Sequence, residues 1–153
     1  MTGTAASLRV TGSGFAQLPT ASVDLQTPAA GTWVNTGLQV ALPGAGTYQL
    51  DATVRTAIAA SSPSNTWIVV RLWDVQAAAV VPGSEVIVQQ VNLTASAGAV
   101  NVGDNSTAPV QVEYAVPAGR TVRLEARRTG ASTTAHVHSN VDGRTTLRFN
   151  RIA

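Results

Sequence analysis

Apolar and polar side chains alternate with a period of two from Leu38 to Thr56. Leu38, Val40 and Leu42 are separated by Gln39 and Ala41; after Pro43-Gly44-Ala45-Gly46, Tyr48, Leu50, Ala52 and Val54 are separated by Gln49, Asp51, Thr53 and Arg55. A period of two sends successive side chains to opposite faces of an extended chain, so the stretch predicts two half-buried strands joined by a Pro/Gly turn. The same alternation returns in Val110, Val112, Tyr114 and Val116, and after Pro117-Ala118-Gly119 in Val122, Leu124 and Ala126. Ser84–Leu93, Thr133–Val141 and Thr145–Ile152 read as further strands, with Asp142-Gly143 as a tight hairpin turn between the last two. No apolar pattern of period 3.6 runs for a useful length. About eight to ten short strands with turns at this spacing predict an all-β protein, an antiparallel jelly-roll sandwich.

Two stretches are read as loops: the polar Ile58–Asn65, and the long Gly/Ser/Asn-rich Thr94–Pro109. Residues 1–32 are rich in Thr, Gly, Ser and Ala, with short strand-like pieces at Ser7–Val10 and Val23–Leu25. They are expected to form an N-terminal arm or an irregular edge, and residues 33–153 the sandwich domain.

One strand departs from simple alternation. In Trp67–Asp74, Ile68, Val70 and Leu72 fill one face while Trp67, Val69, Arg71 and Trp73 fill the other. A strand apolar on both sides is covered on both sides. The second cover is either a neighbouring subunit, since Trp and Arg are favoured at interfaces, or a loop over the core. The row Arg123, Glu125, Arg127, with Glu113 opposite, reads as a solvated ladder of ion pairs.

Composition narrows the function. A chain of 153 residues makes a single domain with a sizeable core. Every basic residue is Arg, and Arg9, Arg55, Arg71, Arg120 and Arg151 are dispersed rather than clustered, which argues against nucleic-acid binding. Without Cys there is no disulfide, thiolate metal site or Cys nucleophile. No apolar run is long enough to span a membrane as a helix, and MTGTAASLRV lacks the layout of a signal peptide, so membrane insertion is not expected and synthesis in a cytoplasm is.

Candidate chemistry is sparse. His136 and His138, two residues apart on a strand, point to one face and are weak candidates for a shared metal ion with Asp142 or Asp104 nearby; a third ligand at a recognisable spacing is missing. There is no G-x-S-x-G elbow. Asp51, Asp74, Glu85, Glu113 and Glu125 mostly alternate with apolar residues, as ordinary outward positions do. Gly12-Ser13-Gly14 and Gly44-Ala45-Gly46 precede no helix and so make no phosphate cradle. Neither an enzymatic activity nor a cofactor is expected.

Trp33–Arg55 (WVNTGLQVALPGAGTYQLDATVR) resembles the opening of the C1q/tumour-necrosis-factor-like jelly roll found in structural proteins of tailed bacteriophages. Val112–Ala126 resembles a later hairpin of that fold, and LRFNRI near the C-terminus resembles the strand beside the three-fold axis of such trimers. The resemblance implies a homotrimeric phage virion protein, with Trp67, Arg71, Trp73 and Phe149 as candidate trimer-interface residues. One implied role is capsid decoration, cementing the head by binding the major capsid protein or another virion protein; Leu8, Val10, Phe15 and Leu18 are then candidates for a capsid-binding arm. The alternative is the knob of a tail fibre or tip, gripping a host-surface glycan through Ser61–Asn65 and Thr94–Ala108. The brevity of the chain and the lack of a shaft repeat favour decoration.

Overall fold

The computed structural model describes residues 12–94 and 100–153. Eleven strands run in order: β1 (Ser13–Gln17), β2 (Ala21–Asp24), β3 (Val34–Leu42), β4 (Gly46–Ser61), β5 (Ser64–Asp74), β6 (Ala79–Val80), β7 (Val86–Leu93), β8 (Asn101–Val116), β9 (Arg120–Thr129), β10 (Thr134–Ser139) and β11 (Thr146–Arg151). No helix occurs among the described residues.

Two antiparallel sheets share one core. In sheet one, β1 pairs with β11 and β2 with β10, β10 and β11 both pair with β4, and β4 pairs with β8. Because β10 covers residues 55–59 of β4 and β11 covers residues 48–53, they form one long interrupted strand. β1 and β2 form another beside it, continued between them by the Leu18 N–H to Thr145 carbonyl bond of 3.0 Å. Sheet two has the order β3-β9-β5, with β6 and β7 on the far side of β5. Counting the interrupted strands once and setting the two-residue β6 aside, the strand positions pair first with last, second with seventh, third with sixth and fourth with fifth. That nesting is the eight-strand jelly roll.

The alternation read from the sequence is the core. Leu38, Val40, Leu42, Tyr48, Leu50, Val54, Ile68, Val70, Leu72, Val122, Leu124, Leu147 and Phe149 are all buried between the sheets. The Tyr48 ring meets Phe149 edge-on, with centroids 5.6 Å apart, and its hydroxyl donates to the Gly44 carbonyl at 2.9 Å, fixing the turn.

What the alternation does not encode is which strands pair. The turns at Pro43–Gly46 and Pro117–Gly119 are not hairpins: β3 lies in sheet two and β4 in sheet one, while β8 lies in sheet one and β9 in sheet two. Both turns are arches across the sandwich, and they stack at one end, where β3 pairs with β9 and β4 with β8. Gly119 lets the two arches approach closely there, since a Cβ would stand a tight 3.2 Å from the Leu42 carbonyl oxygen. The Asp142-Gly143 turn is no hairpin either: β10 and β11 run collinearly, and residues 140–145 form a looped-out excursion closed by an Asn140–Gly143 bridge.

Both predicted loops shrink. β4 continues to Ser61 and β5 begins at Ser64, leaving Ser62 and Pro63 between them, and β8 begins at Asn101. Polar Ser, Asn and Thr residues occupy strand positions there because the unbroken β4–β8 ladder, from Gly46↔Val116 to Ser61↔Asn101, satisfies the backbone whatever the side chains are. Residues 13–24 of the predicted arm or edge segment form edge strands, with Leu18 and Leu25 in the core.

Candidate functional site

The outer face of sheet two carries a connected Arg–Trp–Glu assembly. Glu125 on β9 is 4% exposed, and each of its oxygens accepts from one guanidinium. Arg71 Nε and Nη2 reach Oε2 at 2.8 and 2.7 Å, and Arg123 Nε and Nη2 reach Oε1 at 2.8 and 2.6 Å. The cross-strand register Arg71↔Glu125 and the i, i+2 spacing of Arg123 on the same strand put both cations at one carboxylate. The guanidinium carbon of Arg71 lies 4.0 Å from the Trp33 ring centroid and 4.4 Å from that of Trp73; that of Arg127 lies 4.6 Å from Trp33. Arg127 also pairs with Glu85 at 3.3 Å. The expected solvated ladder with Glu113 is therefore corrected: Glu113 faces Gln49 in the other sheet, and Glu125 is buried under its two arginines. Sequence reasoning missed Trp33 as a member, because it precedes β3 and carries no alternation signal.

Trp67, Arg71 and Trp73 all sit on this outer face, partly covered, with Ile87 of β7 57% exposed beside Val69. Phe149, proposed with them for the interface, points the other way into the core at 6% exposure, so a single chain does not offer it to a neighbour. Gly14 allows this, since a Cβ there would overlap the Phe149 ring.

Of the arm candidates, Leu8 and Val10 lie outside the described residues. Phe15 is 57% exposed on β1, 5.6 Å from the Arg148 guanidinium, beside a shallow groove lined by Ser13, Gly14, Arg148 and Asn150. Leu18 is a core residue at 5% exposure and is not free to bind a partner. Its outward-or-inward sense follows from β1 pairing with β11, which the irregular sequence around it does not announce.

The outer face of sheet one carries the two histidines. His136 and His138 project from β10 with ring centroids 5.5 Å apart and planes tilted by 47°. Ser22 Oγ lies 2.8 Å from His138 Nδ1, whereas His136 Nδ1 is buried without a hydrogen-bond partner. Partial burial, then the charges of His136 and Arg55, hold the His138 pKa below the ordinary histidine value. Neither Asp104 nor Asp142 completes the pair: Asp104 sits on β8, beyond β4, and Asp142 lies in the looped-out excursion. The carboxylate that does stand beside them is Asp24, opposite His136 in the β2–β10 register. Hydrogen bonds from Thr27 and Gln26 keep its pKa below the usual carboxylate value. The expectation of an arm or irregular edge over residues 1–32 left it out; the Val23–Leu25 alternation is the signal that could have found it. Among the described residues no cluster of three or more His, Asp or Glu is poised round one ion.

The remaining acids have folding roles or surface positions. Asp74 on β5 is fully buried; it accepts from Tyr114 Oη of β8 at 2.7 Å and from the Ala77 N–H at 2.8 Å, with Arg120 at 3.6 Å. Burial, then the bond to Asp74, pushes the Tyr114 pKa up to about 12. This contact ties the two sheets together. Asp51 accepts from Gln49 at 3.2 Å on the open face of sheet one.

No protein-family model matches the chain, and no curated protein matches it. Several solved structures are similar to it at low identity. They include an Eiger TNF from S. frugiperda (12% identity, 73% of this chain and 62% of that one, TM-score 0.36) and murine APRIL (12% identity, 92% and 98%, TM-score 0.42). A third is from the infectious bursal disease virus Gx strain (11% identity, 92% of this chain and 37% of that one, TM-score 0.45). The chain thus spans less than two thirds of the insect TNF and of the virus chain.

Proposed function

We propose that this chain is a non-enzymatic virion protein of a tailed bacteriophage, acting as a homotrimeric capsid decoration module that clamps head subunits together. The observation that carries the reading is the Arg–Trp face of sheet two. Arg71, Trp33 and Trp73 are held against one another by Glu125, so an aromatic and guanidinium surface is already ordered before any partner arrives. Trp and Arg are the residues most enriched at binding hot spots, and pre-ordering lowers the entropic cost of association. Meanwhile Asp74 and Glu125, the buried acids, are committed to hydrogen bonds and ion pairs inside the fold. The phage and trimer parts of the reading rest on the resemblance of Trp33–Arg55, Val112–Ala126 and the C-terminal strand.

Decoration fits better than a glycan-binding knob, because the described residues of the two stretches proposed as binding loops are mostly strand. Weak contacts repeated on a trimer become cooperative through effective concentration, and each site buried on the particle stabilises it by mass action.

Electron microscopy of purified particles, with the protein tagged, tests this directly: density over the head supports decoration, and density at the tail tip or none on the particle overturns it. Light scattering on the purified chain should give three copies per particle. An arm contribution is tested by removing residues 1–11 alone. Removing residues 1–25 would also strip β1, β2, Leu18 and Leu25, and each lost core leucine costs about 2–5 kcal/mol. A chain lacking residues 1–11 that still saturates heads would sink the arm idea.

A further inference from the structure

We propose that His136 and His138 form an open two-imidazole chelate for a divalent transition-metal ion on the outer face of sheet one, with Asp24 nearby as a favourable charge and not as a third ligand. The proposal does not depend on the virion reading.

The two rings stand at the spacing a shared ion requires. With a metal–nitrogen bond of about 2.0–2.1 Å and roughly 1.1 Å from ring nitrogen to centroid, two imidazoles on one ion stand about 5–5.5 Å apart at tetrahedral to trigonal angles. The His136 and His138 centroids are 5.5 Å apart. Period-two geometry sets this separation, and pairing on both sides, with β2 and with β4, holds the backbone that carries it.

Ser22 Oγ engages His138 Nδ1 at 2.8 Å; with the proton on Nδ1, the Nε2 lone pair is left for an ion. Outer partners of this kind orient metal-binding imidazoles and fix their tautomer. His136 Nδ1 is buried and unpartnered, so this imidazole is not consumed by a hydrogen bond of the fold through that atom. Across the ladder on the other side stands only the Ala57 methyl.

Asp24, the register partner of His136, is steadied by the Gln26 N–H on Oδ1 at 2.7 Å and by the Thr27 N–H on Oδ2 at 3.2 Å. Each of its oxygens keeps acceptor capacity beyond those bonds. The opposing cation, Arg55, lies across from His138 but donates to Asn140 Oδ1 and the Gly143 carbonyl, which anchors its guanidinium to the 140–143 turn.

Two imidazoles select an ion of the Zn, Ni or Cu class over Mg or Ca, which prefer all-oxygen sets. With so few protein ligands the ion keeps open positions, filled by water or by a donor from another chain.

The test is calorimetric titration of the full chain with Ni and with Zn ions, repeated on His136→Asn, His138→Asn, the double variant and Ser22→Ala, each first checked for an unchanged thermal midpoint. One ion per chain is expected. Either single histidine change should weaken binding at least ~10-fold, since even second-layer partners of a metal site are worth about 10–100-fold. Ser22→Ala should weaken it less. Mg ions should produce no saturable heat. A double variant that binds Ni within about twofold of the parent, or a parent that binds Mg as well as Ni, overturns the assignment.

Discussion

The two outer faces of this sandwich are built from the same alternating pattern and end in opposite electrostatic states. On sheet two, Glu125 pairs with Arg71 and Arg123, Glu85 pairs with Arg127, and Trp33 and Trp73 cover the Arg71 guanidinium, so each of these charges has an opposite charge, although Arg127 Nε is buried without a hydrogen-bond partner. On sheet one, His136 holds a buried ring nitrogen with no partner, and His138 is steadied only by a serine hydroxyl. The first arrangement is ordered by its own ion pairs, as a surface that meets a protein partner can be. The second is two imidazoles not locked into an ion pair, as a site for an ion requires before its ligand arrives.

The harshest way to break this contrast is Glu125→Ala. It leaves two guanidiniums side by side against a largely buried surface, with side-chain exposures of only 14% for Arg71 and 28% for Arg123. Losing one partner of a buried ion pair costs about 3–5 kcal/mol; partial exposure of the arginines moves the expectation to about 2–4 kcal/mol in urea unfolding. A cost below about 1 kcal/mol would mean the assembly behaves as an ordinary surface ion pair.

Between the faces, the Tyr114–Asp74 bond shows whether the sheets are coupled through the interior. Tyr114 in the fold keeps its proton to about pH 12, against about 10 in the unfolded chain. A raised folded pKa contributes stability that is fully present below pH 10 and is lost as pH rises from 10 to 12. Because the phenol is only partly buried, the loss should be about 1–2 kcal/mol rather than the full value of the shift. Tyr114→Phe should remove that stretch of the pH–stability curve, and an unchanged curve would mean the bond does not link the sheets energetically. A smaller effect is expected from Trp33→Leu, which keeps apolar bulk but removes the ring under Arg71 and Arg127: about 1 kcal/mol by denaturant midpoint, the scale of two partly exposed cation–π contacts.

How much of this was legible in the chain differs between the faces. The alternation from Leu38 to Val54 and from Val110 to Ala126 announces the buried rows, because side-chain period is a local property of an extended backbone. Strand partnership is not local. Pro43–Gly46 reads like a hairpin turn, yet Tyr48 and Leu42 end in opposite sheets. That outcome is decided by which distant strand covers each one. The Arg–Trp face was half visible, since Trp67, Arg71 and Trp73 stand on one two-sided apolar strand, while Trp33 and Glu125 join it only through pairing of β5 and β3 with β9. The histidine pair was visible by spacing, but Ser22 and Asp24 reach it from more than a hundred residues away in sequence through the β2–β10 register.

The finest discrimination comes from His136→Val. Valine suits a half-covered strand position, and it removes a ring nitrogen that is buried without a partner. If the outer face of sheet one were built for stability, this substitution would cost free energy, as the changes on sheet two do. The expected result is the reverse: stability unchanged or raised by a few tenths of a kcal/mol to about 1 kcal/mol in urea unfolding. A residue that the fold would be no worse without is best explained by what it binds. The same variant should therefore lose Ni binding while gaining or holding its midpoint. A midpoint lowered by more than about 1 kcal/mol would instead make His136 a part of the scaffold, and would erase the contrast between the two faces.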